Sequence, residues 1–278
     1  MYPQNKVGGS ADIVEEGIVG SGSSSSYNAL QASVIKAPTH GFTFQLSYTY
    51  AHALDSGSSF ENSGFGSSGQ RGWNQYQPSL NYGDSLYDAR QRLVFSPIYT
   101  SPMLHGASWY SVKNLALSGW EVSAIMTVAT GFPYDVSYAG TTSRSLYCDA
   151  SLSFYACPDV PNQIAPVTFS NPRIRNASGR SVYFSAASFG AEPLGAFGNV
   201  HRTPFHGPGI NNTDAVLAKN FNLDADGVKR LQLRMTSSNV FNHTQFNNPT
   251  STFGSGSFGQ ISGAAAARQT QLAAKFYF

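Results

Sequence analysis

Seven segments of the chain alternate apolar and polar residues with a period of two, the spacing of a β-strand with one greasy and one wet face. The clearest is 42–52, where Phe42, Phe44, Leu46, Tyr48 and Tyr50 alternate with Thr43, Gln45, Ser47 and Thr49. Before it, 27–36 sets Leu30, Ala32 and Val34 against Gln31 and Ser33, and the Pro-Thr-His-Gly stretch at 38–41 turns the chain, so the pair predicts a hairpin. A third strand is predicted over 88–101, with Leu93, Phe95, Pro97 and Tyr99 opposite Arg92, Val94, Ser96 and Ile98; Pro97 is an awkward mid-strand residue. The fourth, 119–131, presents Trp120, Val122, Ala124, Met126 and Val128 on its apolar face. The fifth, 212–223, alternates imperfectly, which predicts a bulge near Lys219. The sixth, 230–242, sets Leu231, Leu233, Met235 and Phe241 against Arg230, Gln232, Arg234 and Thr236. The last, 268–278, places Leu272, Ala274, Phe276 and Phe278 on one face and Gln271, Ala273, Lys275 and Tyr277 on the other.

Strands of about 10 to 12 residues are longer than the usual globular strand and long enough to cross a bilayer at a tilt. The connections alternate too. Those at 38–41, 102–118 and 223–229 are short or medium, whereas 54–87, 131–211 and 243–267 are long and rich in Gly, Ser, Asn and Pro. Barrels of the bacterial outer membrane show this asymmetry, with short periplasmic turns and long outer loops. Phe42, Tyr99, Trp120, Phe276 and Phe278 all fall at the strand ends so assigned to the periplasm, where a membrane-interface girdle belongs. In a compact soluble domain the irregular 131–211 stretch would count against the strand assignment.

Composition agrees with a membrane wall. Charged residues are 12% of the 278, against about a quarter in ordinary soluble domains, while aromatics reach 13%. Mean hydropathy is −0.22, and no run of 18 or more apolar residues occurs, which excludes a transmembrane helix. A β-barrel escapes that test because its lipid-facing and lumen-facing residues cancel in any window. The expected fold is therefore all-β, an antiparallel transmembrane barrel. A net charge of +2 with no cluster of basic and aromatic residues argues against nucleic acid as a partner.

Candidate chemistry is sparse. Cys148 and Cys157 lie in a Ser/Tyr/Pro-rich stretch without metal-ligating neighbours; a local disulfide in an oxidising compartment is the preferred reading, and two unrelated thiols the other. GxGxxG occurs at Gly64/Gly66/Gly69 and at Gly254/Gly256/Gly259, but neither follows a strand and opens a helix, so these are loop glycines. No Walker lysine motif, HExxH or GxSxG is present. Loop histidines His201, His206 and His243 could contact a ligand or metal, or stand in solvent. Asn176, Asn211 and Asn242 fit N-x-[ST], a sequon that means little on the outer-membrane barrel reading. Arg90, Arg92, Arg230 and Arg234 share the polar parity and are lumen-facing candidates, either lining a channel or forming a structural network. No cofactor, metal or catalytic residue is expected.

The segments beginning at Ser25 ("SSYNALQASVIKAPTHGFTFQLSYTYAHALD"), Asp88 ("DARQRLVFSPIY"), Leu117 ("LSGWEVSAIMTVATGFPY"), Phe197 ("FGNVHRTPFHGPGINNTDAVLAKNF") and Arg230 ("RLQLRMTSSNVFNHTQFNNP") resemble, in order, successive parts of TonB-dependent outer-membrane receptors of the Oar-like kind. The closing Lys-Phe-Tyr-Phe resembles the C-terminal recognition strand of outer-membrane proteins, which implies that Leu272, Ala274, Phe276 and Phe278 form an assembly signal read by the insertion machinery. The resemblance implies a larger barrel of 22 strands, an N-terminal plug and a TonB-contacting segment, of which this chain holds about seven C-terminal strands.

Seven strands cannot close, because an open sheet edge is not viable in lipid and single-chain bacterial barrels have even strand counts. Together with the lack of a signal peptide at Met1, this predicts that residues 1–26 are the tail of an outer loop and 27–278 the C-terminal segment of a longer barrel. The implied partners are outer-membrane lipid, the missing barrel and plug, TonB and the assembly machinery; the implied location is the outer membrane. Energised uptake of a ligand is the leading reading. A secreted β-sandwich or adhesin, its greasy faces packed on each other, is the alternative. A hydrolase using Ser24 or Asp135 with one of the histidines has no spacing in its favour.

Overall fold

Seven long strands pair in chain order, each antiparallel to the next: β1 (Ser25–Thr39), β2 (Phe42–Asp55), β3 (Gln91–Thr100), β4 (Trp120–Ala129), β5 (Ile210–Asn222), β6 (Arg230–Ser238) and β7 (Gln269–Tyr277). This up-and-down meander is the antiparallel sheet that the alternation predicts, and it fits a partial transmembrane barrel. The computed structural model describes residues 24–58, 77–102, 111–138, 144, 159–224 and 228–278. Among them no helix is long and apolar enough to cross a membrane.

Register carries the sequence pattern across the sheet. One row on the apolar face runs Tyr99–Val122–Leu217–Met235–Leu272, and another Val34–Leu46–Phe95–Met126. On the opposite face Ser33, Ser47, Val94, Thr127 and Asn212 stand side by side. The apolar face is bare: Leu272 is 78% and Phe278 92% exposed. A sandwich would need a second sheet on that face; the described residues contain only this sheet and four two-stranded ladders.

Three local features differ from expectation. No bulge occurs at Lys219, since β5 keeps one register with β4 from Ile210 to Lys219 and one with β6 from Ala215 to Asn222. The irregularity lies instead in β1, between Lys36 and Thr39. Pro97 is accommodated by interrupting one ladder: β3 pairs continuously with β2, but its pairing with β4 stops at Phe95 and resumes at Ile98. Between β1 and β2, His40 and Gly41 both have positive φ (52° and 79°), and a Cβ on Gly41 would lie 2.0 Å from the Thr100 carbonyl oxygen, so only glycine fits there.

The turn after β3 ends in a short helix, α1 (Val112–Leu117), which the sequence did not announce. Ser111 caps it by accepting from the Asn114 N–H, and the Trp120 indole donates to the Ala116 carbonyl at 2.8 Å.

Among the described residues the one buried hydrophobic cluster lies outside the long-stranded sheet. Tyr134, Val136, Val160, Tyr183, Phe184, Phe189, Val200, Phe205, Phe258 and Ile261 form one cluster contributed by the segments between β4 and β5 and between β6 and β7. Two-residue ladders tie these segments together: Pro133–Tyr134 with Phe205–His206, Ser137–Tyr138 with Thr252–Phe253, Asn162–Gln163 with Phe189–Gly190, and Ser181–Val182 with Gln260–Ile261. Far from being irregular loops, they are a folded unit organised by aromatic packing. Nor is the 77–90 stretch empty of contacts, because Leu80, Asn81, Ser85 and Asp88 are all buried.

Candidate functional site

All long connections leave the same end of the sheet, so the aromatic unit stands over that end. Phe184 is its hub, 1% exposed, with ring centroids 5.1 Å from Phe258, 5.8 Å from Phe189 and 6.3 Å from Tyr134. Burial pushes the Tyr134 hydroxyl, and to a lesser degree that of Tyr183, above the usual phenol range, so both are neutral donors. The Tyr183 hydroxyl lies 3.2 Å from the His206 carbonyl.

A polar seam fastens this unit to the strand ends. Arg202, 5% exposed, donates to the Asp55 carbonyl (2.7 Å), to the Asp55 carboxylate and to Ser58 Oγ (2.6 Å). The Thr203 N–H donates to Asp135 Oδ1 at 2.6 Å, and its hydroxyl lies 2.5 Å from the Asp84 carbonyl. Beside them stand Asp84, Asp88, Arg90, His52 and His206. Arg90 Nη2 is 3.2 Å from Asp84 Oδ2 and Arg90 Nε 3.3 Å from Asp88 Oδ2, while His52 Nε2 is 2.8 Å from Asp84 Oδ1. His206 Nε2 approaches both carboxylates, at 3.3 Å from Asp84 and 3.7 Å from Asp88.

Two open cavities flank the aromatic unit. One, of about 420 Å³, is lined by Phe169, Arg173, Tyr183, His243 and Phe246 among others. The other, of about 620 Å³, lies between the unit and the ends of β5 and β6, where Asp214, Asn239, Gln245 and Gln269 face it beside Phe132. Both mix aromatic rings with hydrogen-bonding groups.

A family model described as an outer membrane beta barrel domain matches residues 15–271. The chain belongs to that outer-membrane β-barrel family. No curated protein and no solved structure matches it. Membership places the barrel in the outer membrane, with lipid against the apolar rows that the register aligns.

In this barrel the predicted residues take separate places. Arg92, Arg230 and Arg234 stand on the polar face, but apart. The Arg230 guanidinium stacks 4.3 Å from the Tyr277 ring, and Arg234 Nε donates to Thr236 Oγ1 at 3.3 Å. Arg90 continues the ladder past the start of β3, its carbonyl accepting from the Ala51 N–H, yet its guanidinium belongs to the Asp84/Asp88 group. Of the histidines, His206 joins the seam, His243 contacts Arg173 beside the smaller cavity, and His201 is exposed. Asn176 and Asn242 organise turns: Asn176 Oδ1 accepts from the Ser178 and Arg180 N–H groups, and Asn242 Oδ1 from the Arg268 N–H. The Asn211 N–H donates to Gln245 Oε1. Leu272, Ala274 and Phe276 share the apolar face of β7, with Phe278 stacked on Phe276 at 5.9 Å. Cys148, Cys157 and the Gly64/Gly66/Gly69 motif lie outside the described residues. Asp55, Asp84 and Asp88 were missed because their spacing fits no motif; only their grouping in space distinguishes them.

Proposed function

We propose that the chain is the C-terminal wall of a TonB-dependent outer-membrane receptor of the Oar-like kind, and that the complete protein imports a ligand with energy supplied through TonB. The observation that carries this reading is the open sheet: among the described residues β1 pairs only with β2 and β7 only with β6, leaving two ladder edges that lipid cannot satisfy. Further strands must cover both edges, and the ordered resemblance to these receptors favours strands of the same large barrel. In this reading the β1–β2 and β5–β6 turns face the periplasm, the aromatic unit faces the outside and meets ligand first, and the apolar face of β7 is read during assembly.

No reaction is assigned to the chain. The backbone N–H of Ser24 donates to Ser56 Oγ, and Asp135 Oδ1 accepts from the Thr203 N–H. The test is to recover the native gene product from outer membranes, determine its mass, and pass it over the immobilised periplasmic domain of TonB. A product far heavier than 29.8 kDa that is retained supports the proposal. A product of this chain's own mass, or one that is not retained, overturns it.

A further inference from the structure

Asp84, Asp88 and His206 each offer one ligand atom, and these atoms lie within 4.8 Å of one another. Their arrangement is more than a meeting of charges. Each carboxylate has one oxygen held from behind: Asp84 Oδ1 by His52 Nε2 at 2.8 Å, and Asp88 Oδ1 by the Ala53 N–H at 2.7 Å. The other oxygen of each points toward His206 Nε2, at 3.3 and 3.7 Å. Asp88 is 1% exposed, and His206 Nε2 is sealed from solvent with no hydrogen-bond partner among the described residues. The His206 ring nitrogen is thus buried and aimed at two carboxylate oxygens without bonding to either, while both of those oxygens accept from Arg90, at 3.2 Å for Asp84 and 3.3 Å for Asp88.

We propose that these three side chains form a site for a single divalent transition-metal ion of the zinc type, which staples the 200–206 segment to the 83–90 segment at the rim of the barrel. A tetrahedral ion with bonds of about 2.0–2.1 Å spaces its ligands roughly 3.3–3.5 Å apart, close to the separations found. One imidazole with two carboxylates selects zinc, cobalt, nickel or manganese over calcium, which takes six to eight oxygens. The contacts behind the carboxylates fix their orientation, as the outer partners of metal ligands do. Asp84 and His206 remain 17% and 34% exposed at the side chain, which leaves a way in from solvent and a position for water. Arg90 is the cation that now touches both inward oxygens; its side chain is 30% exposed, and it must give up both contacts and turn outward when the ion enters.

Zinc alone is the probe, titrated calorimetrically into the native protein held in detergent, with calcium and magnesium as comparisons. One zinc per chain is expected, with proteolysis of the 200–206 segment slowed in its presence and calcium giving no saturable heat. His206→Ala, a partly exposed position that leaves the aromatic cluster intact, removes the binding. His52→Ala, which only orients Asp84, weakens it by about 10- to 100-fold. Arg90→Gln frees both inward oxygens and tightens it. The proposal falls if zinc does not bind at one per chain, if His206→Ala leaves binding unchanged, or if Arg90→Gln weakens it.

Discussion

Lys219 shows how one residue can defeat a pattern without bending a strand. It stands on the apolar face, 5% exposed, with Nζ 5.1 Å from the Trp120 ring and 5.3 Å from Phe221, and it donates to the Ser118 carbonyl. A charge sits there because two rings and a carbonyl replace its water, while its stem covers apolar neighbours. Removing the cage should therefore harm more than removing the charge. Trp120→Ala is expected to cost about 2 kcal/mol in urea unfolding of detergent-solubilised protein, Lys219→Met less than about 1, and the pair less than their sum. Glu192 is the reverse case, a buried carboxyl whose one ion pair among the described residues, 3.5 Å to Arg144 Nε, does not offset the loss of water. It is 0% exposed, and burial, aided by Asp159, raises its pKa against the opposing pull of a backbone hydrogen bond and Arg144. The folded state thus holds this proton more tightly than the unfolded one. Stability of the aromatic unit should fall as pH rises from the ordinary glutamate value through the raised one, and Glu192→Gln should flatten that dependence in thermal melts from pH 4 to 8.

At the level of elements, strands and loops owe their order to different physics. The seven long strands were legible because each apolar face meets lipid as a whole, so a period of two survives in the sequence. Tyr134, Phe184, Phe205 and Phe258 belong to a core assembled from segments with no period at all, so sequence showed only Gly, Ser, Pro and scattered aromatics. The Asp84/Asp88/His206 group was hidden for the same reason, since its members meet only through the tertiary path. Residues such as Pro97 and Lys219 mark the middle ground, where the strand was read correctly and its local compromise was not. The division predicts separable stability. Phe184→Ala should destabilise the loop unit by about 3–5 kcal/mol, visible as faster proteolysis between β4 and β5, while the β-sheet circular dichroism of the wall stays unchanged.

For the whole molecule, the two free edges dominate. A sheet whose β1 and β7 edges are unpaired among the described residues is a template for any other strand. Expressed as residues 24–278 alone in detergent, the chain should associate edge to edge, giving oligomers by light scattering, whereas the native product should be monomeric. The loop unit adds a property that concerns time rather than space. Strands meet their nearest neighbours along the chain, but Ser137 reaches Thr252 across 115 residues and Arg202 reaches Asp55 across 147. Such distant meetings are entropically slow until the wall has drawn their ends together. Hydrogen-exchange pulses during refolding should find β2 to β6 protected before Tyr183 and Gly259. The outward-facing unit then acts as a late certificate of assembly, because its rings can find one another only after every strand beneath them has been placed in order.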